Sequence, residues 1–404
     1  MKKRTRQILI ITLGIVAIAV ITVSGLFLYS LFTGDNGTPG QGDPTGARTD
    51  PFGGIIDTLF GGDPGDEEFV PPIPVLRQLT FEPTAGARVI TPFTEEGGLP
   101  FVRYVARSDG NIYEIEAFER DQRRVSNTTI PSVYEALVPE SNWMLYRFLS
   151  ETDSIETLDA TIATSTAELE DTIFYPENIL SISVAPEEDR VFFLVAGNEG
   201  SSGYILDRES GEQELVFESE LTEWRSEWNS PLGILLFNKP AEGIPGSAFL
   251  LSPNTGDLEE LVSGNGLTAS MSLSGRYLLY TIASTDSFSL TIRDLETRAE
   301  SLMPFTTLIE KCTWTEFDSL YCAIPVDAEG GSYPDGWYRG DLRTSDVLVL
   351  YLPESDTELF VYDLTTDGNT FDVDQIYVDP DELYLVFRNK VDQVLWGLSL
   401  IDVL

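Results

Sequence analysis

Carboxylates are the side chains of this sequence that could do acid–base chemistry. The 404 residues include 66 Asp and Glu but no histidine. Without imidazole, the chain cannot form a Ser-His-Asp or Cys-His triad or a histidine-based metal site. Two carboxylates could act as the acid and base of a glycoside hydrolase, but nothing in the sequence singles out one pair. We therefore predict no catalytic residue and favour a non-enzymatic role, while enzyme activity stays open.

One acidic stretch has the composition of a calcium-binding loop. Asp363–Asp374 reads DLTTDGNTFDVD, with several oxygen ligands in a short polar segment. It lacks both the spacing of an EF-hand loop and the terminal glutamate of that loop. We therefore expect a polar turn here, and we predict that the chain binds no metal ion and no cofactor.

The two cysteines, Cys312 and Cys322, flank a predicted turn and are ten residues apart. If the hairpin pivots near Phe317, the cysteines face each other across an antiparallel pair, where Cβ atoms come close enough for a disulfide. A location outside the cytoplasm would permit the oxidation. We predict a disulfide, and two reduced cysteines in the core are the alternative.

The best candidate for a binding segment is Gly330–Asp346, GGSYPDGWYRGDLRTSD. It lies mostly in a predicted irregular loop, Val326–Thr344. Loops on a rigid scaffold often carry binding, and Trp, Tyr and Arg dominate contact energies. The predicted binding residues are Tyr333, Trp337, Tyr338, Arg339 and Arg343. In the alternative interpretation, the loop folds back and covers the neighbouring strands with its own aromatic side chains.

A second aromatic pair, Trp224 and Trp228, lies four residues apart in TEWRSEWNS. Side chains at this spacing face the same side of a strand. We expect both to pack within a sheet, and a sugar-binding platform is the alternative.

A repeated unit of short strands must position these residues. Thr268–Glu300 shows the unit as runs of β-branched and aromatic residues bounded by Ser, Gly and Asp, which is typical of antiparallel strands. Successive copies begin their second strand 42, 48, 43, 43, 43 and 63 residues apart. These second strands begin at Phe101, Trp143, Val191, Ile234, Tyr277, Leu320 and Leu383. A four-stranded propeller blade takes about 40–45 residues, so the spacing predicts an all-β propeller; a β-sandwich is the alternative.

The number of blades follows from the end of the chain. From Leu383 only 22 residues remain, which is enough for two strands. The last blade is then one strand short. An additional strand predicted at Val75–Leu79 can complete it and leave no sheet edge exposed. We therefore predict a seven-bladed β-propeller over residues 75–404.

The strand-and-turn sequences resemble those of a known group of propellers. Leu273–Tyr280, LSGRYLLY, is similar to the Ser-Pro-Asp-Gly-Arg turn and strand of TolB-type and WD-like bacterial propellers, and Ala185–Val191 is a looser copy. The chain also resembles bacterial propellers that are anchored by a single membrane-spanning segment. The first resemblance implies the propeller architecture, and neither implies an activity.

The N-terminal part of the chain has the features of a membrane anchor. Residues 1–6 are basic, and residues 7–32 form a run without any charge. That run exceeds the roughly 20 residues that cross a bilayer. The basic flank predicts a cytoplasmic N-terminus, followed by a transmembrane helix, a flexible linker over residues 33–74 rich in Gly, Pro and Asp, and the propeller outside the cytoplasmic membrane. A cleaved signal peptide is the alternative.

The charge of the chain limits its partners. The four basic residues at positions 2–6 leave 21 basic against 66 acidic residues for the remainder, a charge of −45. Such a surface repels nucleic acid, which we exclude as a partner. We predict a recognition or assembly scaffold at the cell envelope, with a protein or an envelope glycan as its partner. The alternative is an envelope hydrolase that acts on glycans or peptides through carboxylates.

Overall fold

The computed structural model describes residues 74–403, apart from 93–97, 120, 164, 198, 285–286, 331–333 and 367–368. The predicted transmembrane segment and all but the last residue of the predicted linker lie outside the described residues. Within the part that is described, no helix has the length and apolar character needed to cross a membrane.

Seven antiparallel sheets of four strands form the molecule, and each sheet is one blade. In blades 1 to 6, the four strands follow one another in chain order. In five of the seven pairs of neighbouring blades, the first strands contact each other around the axis. The predicted all-β, seven-bladed propeller is therefore confirmed.

Blades 1 to 3 contain the strands β2 (Thr84–Ile90), β3 (Phe101–Ala106), β4 (Ile112–Glu116), β5 (Gln122–Arg124), β6 (Val133–Leu137), β7 (Trp143–Leu149), β8 (Ile155–Ile162), β9 (Leu169–Phe174), β10 (Ser181–Val184), β11 (Arg190–Gly197), β12 (Gly200–Asp207) and β13 (Gln213–Ser219). Blades 4 and 5 contain β14 (Trp224–Ser230), β15 (Gly233–Asn238), β16 (Pro245–Leu251), β17 (Leu258–Asn265), β18 (Thr268–Met271), β19 (Tyr277–Ser284), β20 (Ser287–Asp294) and β21 (Glu300–Leu302).

Blade 6 contains β22 (Cys312–Trp314), β23 (Leu320–Gly330), β24 (Leu342–Leu352) and β25 (Thr357–Asp363). A five-residue helix, α1 (Asp335–Arg339), lies between β23 and β24. Two 3-10 turns flank this blade, at Ile309–Lys311 and Pro353–Ser355.

Blade 7 joins the two ends of the propeller. It consists of β26 (Val373–Val378), β27 (Tyr384–Asn389), β28 (Leu395–Ser399) and, as its outermost strand, β1 (Leu76–Gln78). Leu76 pairs with Leu398 and Gln78 with Trp396. The strand that was predicted to complete the last blade does so, and the ring is closed.

The core lies between the faces of adjacent blades, and the central strands are buried on both faces, as the continuous buried run Trp143–Arg147 of β7 shows. Trp224 and Trp228 show this well: both are buried in a cluster with Phe192, Phe217 and other apolar side chains of blades 3 and 4. Their predicted role in sheet packing is confirmed.

Blade 6 carries the disulfide. The register places Cys312 of β22 opposite Cys322 of β23, and their sulfur atoms are bonded. This is the pairing that the ten-residue spacing predicts.

Blade 6 also differs from its prediction. The expected irregular loop over residues 326–344 is wrong in its extent, because β23 and β24 continue as one long hairpin to the pair Gly330 and Leu342. Leu342, Thr344 and Asp346 are buried while Arg343 between them is exposed, so the arm alternates like any strand. Most residues on the buried side of this arm are polar, so the hydrophobic pattern of the sequence does not predict a strand here.

Candidate functional site

One face of the ring carries the most elaborate connections. In a sheet whose strands run up and down in order, successive connections alternate between its two ends. The connections between second and third strands and those between blades therefore share a face, which we call the lid face. The other face carries the turns between first and second strands. The hairpin tip with α1 belongs to the lid face.

Helix α1 is fixed by contacts with several blades. The carboxylate of Asp335 accepts a hydrogen bond from the backbone N–H of Glu242, in the β15–β16 connection, at 3.1 Å. Lys390, in the β27–β28 connection, donates through Nζ to the carbonyl oxygen of Trp337. The helix thus bridges blades 4, 6 and 7 on the lid face.

Trp337 anchors α1. Its side chain is only 4% exposed and packs against Leu308 and Leu342. Its Nε1 donates to Oδ1 of Asp372 at 2.7 Å, and Nζ of Lys390 lies 3.5 Å from the ring centroid, a cation–π contact. The indole is therefore not available to a partner. For Trp337, the structure agrees with the alternative interpretation, in which the loop covers the neighbouring strands with its own aromatic side chains.

The other predicted binding residues are distributed around α1. Tyr338 is half-buried and donates through its hydroxyl to Oε2 of Glu310 at 3.2 Å. Arg339 is exposed and pairs with Asp341 at 2.9 Å. Arg343 is exposed on the β24 arm. Tyr333 lies outside the described residues.

A buried cluster of charged side chains lies at the base of the β23–β24 hairpin. Nζ of Lys311, with no exposed surface, donates to Oδ2 of Asp346 at 2.6 Å, to Oδ1 of Asp372 at 2.8 Å and to the hydroxyl of Thr344 at 2.9 Å. We call Lys311, Asp346 and Asp372 the buried triad. Nothing in the sequence indicates this triad, because single charged residues usually lie on the surface.

The axis of the ring contains a cavity of about 520 Å³. The first strands of six blades contribute to its wall, and six carboxylates are among the lining residues, of which Glu135, Glu227 and Glu310 come from three different blades. This axial channel was not predicted, since only the closed ring brings these distant residues together.

Glu227 has a strongly raised pKa. Its pKa is raised to about 7, chiefly by burial and to a smaller extent by the charge of Glu310, while hydrogen bonds from the backbone N–H of Met271 and from the hydroxyl of Ser270 act in the opposite direction. The group therefore exchanges its proton near neutral pH.

Glu310 lines the axial channel and also contacts helix α1 on the lid face. Withdrawal of solvent by the surrounding protein raises the pKa of Glu310, and the hydrogen bond from Tyr338 and the charges of Arg225 and Lys390 oppose this. Two carboxylates with raised pKa values therefore line the channel, and one of them, Glu310, contacts Tyr338 of α1. Within the described part of the chain, no group of three or more acidic or cysteine side chains is placed to hold a metal ion.

Comparison with known proteins adds information about the fold alone. No protein-family model matches the chain, and no curated protein matches it. Among solved structures, it is similar to the β-propeller domain of Cps50 (Swd1) from Myceliophteria thermophila, with 9% identity, a TM-score of 0.50, and coverage of 80% of this chain and 99% of that domain.

Two further structures are less similar. TolB from Acinetobacter baumannii has 12% identity and a TM-score of 0.41, with 72% of this chain and 60% of TolB covered, so the chain spans about three fifths of TolB's length. An oligogalacturonate lyase in complex with manganese has 10% identity and a TM-score of 0.47, with coverage of 78% of this chain and 98% of the lyase. The predicted TolB-like and WD-like propeller architecture is confirmed, and these similarities indicate nothing about activity.

Proposed function

We propose that this protein is a recognition or assembly scaffold whose lid face contacts its partner. The observation that carries the proposal is the anchored helix α1. A hairpin that projects beyond its blade is held by contacts with three blades and by a buried tryptophan. Residues on rigid elements bind without a large loss of conformational freedom, and this arrangement presents Arg339 and Arg343 in a fixed position.

The chemistry of this surface favours an acidic partner group. Arg339 and Arg343 are exposed cations on a chain with 66 acidic residues. The ion pairs of Arg339 with Asp335 and Asp341 lie at the surface, where such pairs contribute about 0–1 kcal/mol and exchange readily. A carboxylate of a protein or of an envelope glycan could replace them, whereas the rest of the domain would repel it.

The proposed location is the outer side of the cytoplasmic membrane. It rests on the uncharged run of residues 7–32 and on its basic flank. In that arrangement the linker of residues 33–74 would separate the propeller from the bilayer.

Photo-cross-linking in intact cells tests the surface. A photoreactive amino acid at position 339 should give one dominant adduct, and the additional change Arg343→Glu should weaken it. The same amino acid at Phe317, which is 70% exposed on the opposite face, is the matched control and should give none. An adduct at 317 with none at 339 would reject the lid face as the binding surface.

A hydrolase that uses carboxylates is the second candidate, and it rests on Glu227 and Glu310. We favour binding because both groups are engaged: Glu310 accepts from Tyr338 under α1, and Glu227 accepts from Met271 and Ser270. Hydrolysis of an envelope glycan or peptide by the wild type, abolished by Glu227→Gln in a folded variant, would support the second candidate instead.

A further inference from the structure

The buried triad combines three features that do not usually occur together. Lys311 and Asp346 have no exposed surface, and Asp372 is only 1% exposed. The amine of Lys311 contacts both carboxyl groups, at 2.6 Å and 2.8 Å. Oδ1 of Asp346 and Oδ2 of Asp372 are buried without a hydrogen-bond partner among the described residues.

Such a cluster is unfavourable if all of its groups stay ionised. Removing ions from water costs several kcal/mol each, and mutual attraction repays this only when every polar atom has a partner. Here two carboxylate oxygens have none. Burial raises the pKa of Asp346, against the opposing influence of Lys311, and so shifts this carboxyl toward its neutral acid form.

We propose that Lys311 and Asp346 become joined by an amide bond inside the folded protein, with Asp372 as the proton acceptor. The site supplies an amine nucleophile, an adjacent carboxylic acid and a second carboxylate, all held in contact and away from water. Held in this way, two groups react as if at very high concentration. The reaction needs no other reactant.

The hydrogen bonds assign a role to each oxygen. Oδ2 of Asp346 accepts from the backbone N–H of Val373 at 2.7 Å, so a donor is in place for the charge that develops on this oxygen, which becomes the amide oxygen. Oδ1 of Asp346, without a partner, is the oxygen that leaves. Oδ1 of Asp372 accepts hydrogen bonds from Lys311, Thr344 and Trp337, so this carboxyl lies directly beside the amine whose proton it receives.

The step balances in atoms and protons. The ammonium of Lys311 transfers one proton to the carboxylate of Asp372 and becomes an amine. Its nitrogen attacks Cγ of the neutral Asp346 carboxyl, the N–C bond forms, and the bond from Cγ to Oδ1 breaks. The hydroxyl of Asp346 leaves with a second proton from the nitrogen as water. The amide keeps the third proton, and Asp372 ends as a neutral acid.

The product would place a second covalent link beside the disulfide. Cys312 follows Lys311 directly and is bonded to Cys322. The disulfide joins the first and second strands of blade 6, and the amide would join the 3-10 turn just before its first strand to its third strand, β24. Both links would hold the hairpin that carries α1.

Intact-mass measurement of the purified full chain, after reduction of the disulfide, tests the proposal. We expect a mass lower than that of the sequence by one water molecule, and a digest in which the peptides of Lys311 and Asp346 are joined. Asp346→Ala should show the full mass of its sequence, whereas Arg343→Ala, at an exposed neighbouring position, should still lose water. A wild-type chain of full mass overturns the proposal.

The role of Asp372 is tested separately with Asp372→Asn, whose folding is checked by circular dichroism. In a folded variant, retention of the full mass supports Asp372 as the proton acceptor, and loss of water rejects that role. If the variant does not fold, the decision on the bond still rests on the wild-type mass, which requires no variant.

Discussion

Trp337 shows that a tryptophan can indicate either an exposed contact surface or a buried anchor. In the sequence, an indole beside Tyr and Arg indicates a contact surface. In the structure the indole is 4% exposed and donates to buried Asp372. The difference is decided by residues far away in sequence: Leu308 on one side and Lys390 on the other. No local pattern could have supplied either contact.

Replacing Trp337 by alanine should therefore destabilise the propeller. Emptying a buried aromatic site costs about 3–5 kcal/mol, and the change also removes the hydrogen bond to Asp372. Urea unfolding followed by tryptophan fluorescence and circular dichroism measures the loss. Trp337→Phe should cost less, because it keeps most of the packing. Arg339→Ala on the same helix should stay within about 0.5 kcal/mol of the wild type; an equal loss in Arg339→Ala would contradict this account.

Glu227 should make stability depend on pH. Its folded pKa of about 7 lies above the usual value of 4.5, so between these two pH values the folded state binds more protons than the unfolded state. The contribution of Glu227 to stability is complete below about pH 4.5 and is lost as the pH rises through 7.

Unfolding of Glu227→Gln at pH 5 and pH 8 measures this effect. The variant lacks the titrating group, so its stability relative to the wild type should improve from pH 5 to pH 8. Glu259→Gln, at an exposed position of β17, is the control for loss of a charge. A constant difference between Glu227→Gln and the wild type would show that Glu227 does not titrate in this range.

At the scale of secondary-structure elements, strand β1, which closes the ring, could be predicted from the sequence. The 43-residue spacing locates the blades, and the two strands that fit after Leu383 leave the last blade without its fourth strand, which must come from elsewhere in the chain. Strand β1 pairs with β28 as required. The arms of the β23–β24 hairpin could not be predicted in the same way, because their buried side carries Thr344 and Asp346 in place of apolar residues.

The buried triad was beyond sequence reasoning for a related reason. Asp346 and Asp372 lie 35 and 61 residues from Lys311, and each alone is typical of a turn or a solvated strand. Only the junction of blades 6 and 7 brings the three together. The axial channel has the same origin, since Glu135, Glu227 and Glu310 belong to three separate repeats.

Deleting residues 72–80 should destabilise the whole propeller. The deletion removes β1 and exposes the edge of β28 and the apolar face beneath it, so the ring loses its closure. Deleting residues 34–49, in the predicted linker, is the matched control and should change the melting temperature little. Equal melting temperatures for the two deletions would reject closure by β1 as a source of stability.

At the scale of the whole molecule, the chain combines a closed ring with a strongly acidic composition. Closure leaves no blade without its fourth strand, so the edge of β28 in blade 7 is covered and is not open to pairing with another chain. The net charge of −41 further keeps copies apart through mutual repulsion. Binding would then depend on the few exposed cations, such as those beside α1.

The proposed topology predicts which side of the membrane a protease can reach. If the propeller lies outside, protease added to intact spheroplasts should remove a C-terminal tag, while a tag at the N-terminus stays protected. Lysed spheroplasts provide the control in which both tags are removed. Protection of the C-terminal tag in intact spheroplasts would reject this orientation.

The three-residue pairing of β1 with β28 has a mechanical consequence. Strand β1 is the first strand after the predicted linker, and it pairs through Leu76, Arg77 and Gln78. Tension between a membrane anchor and a partner on the lid face would therefore reach this short pairing before any other part of the sheet structure. A pull strong enough to detach β1 would expose the edge of β28 and open the ring at blade 7. The strand that stabilises the propeller at rest would then also determine the load at which it opens.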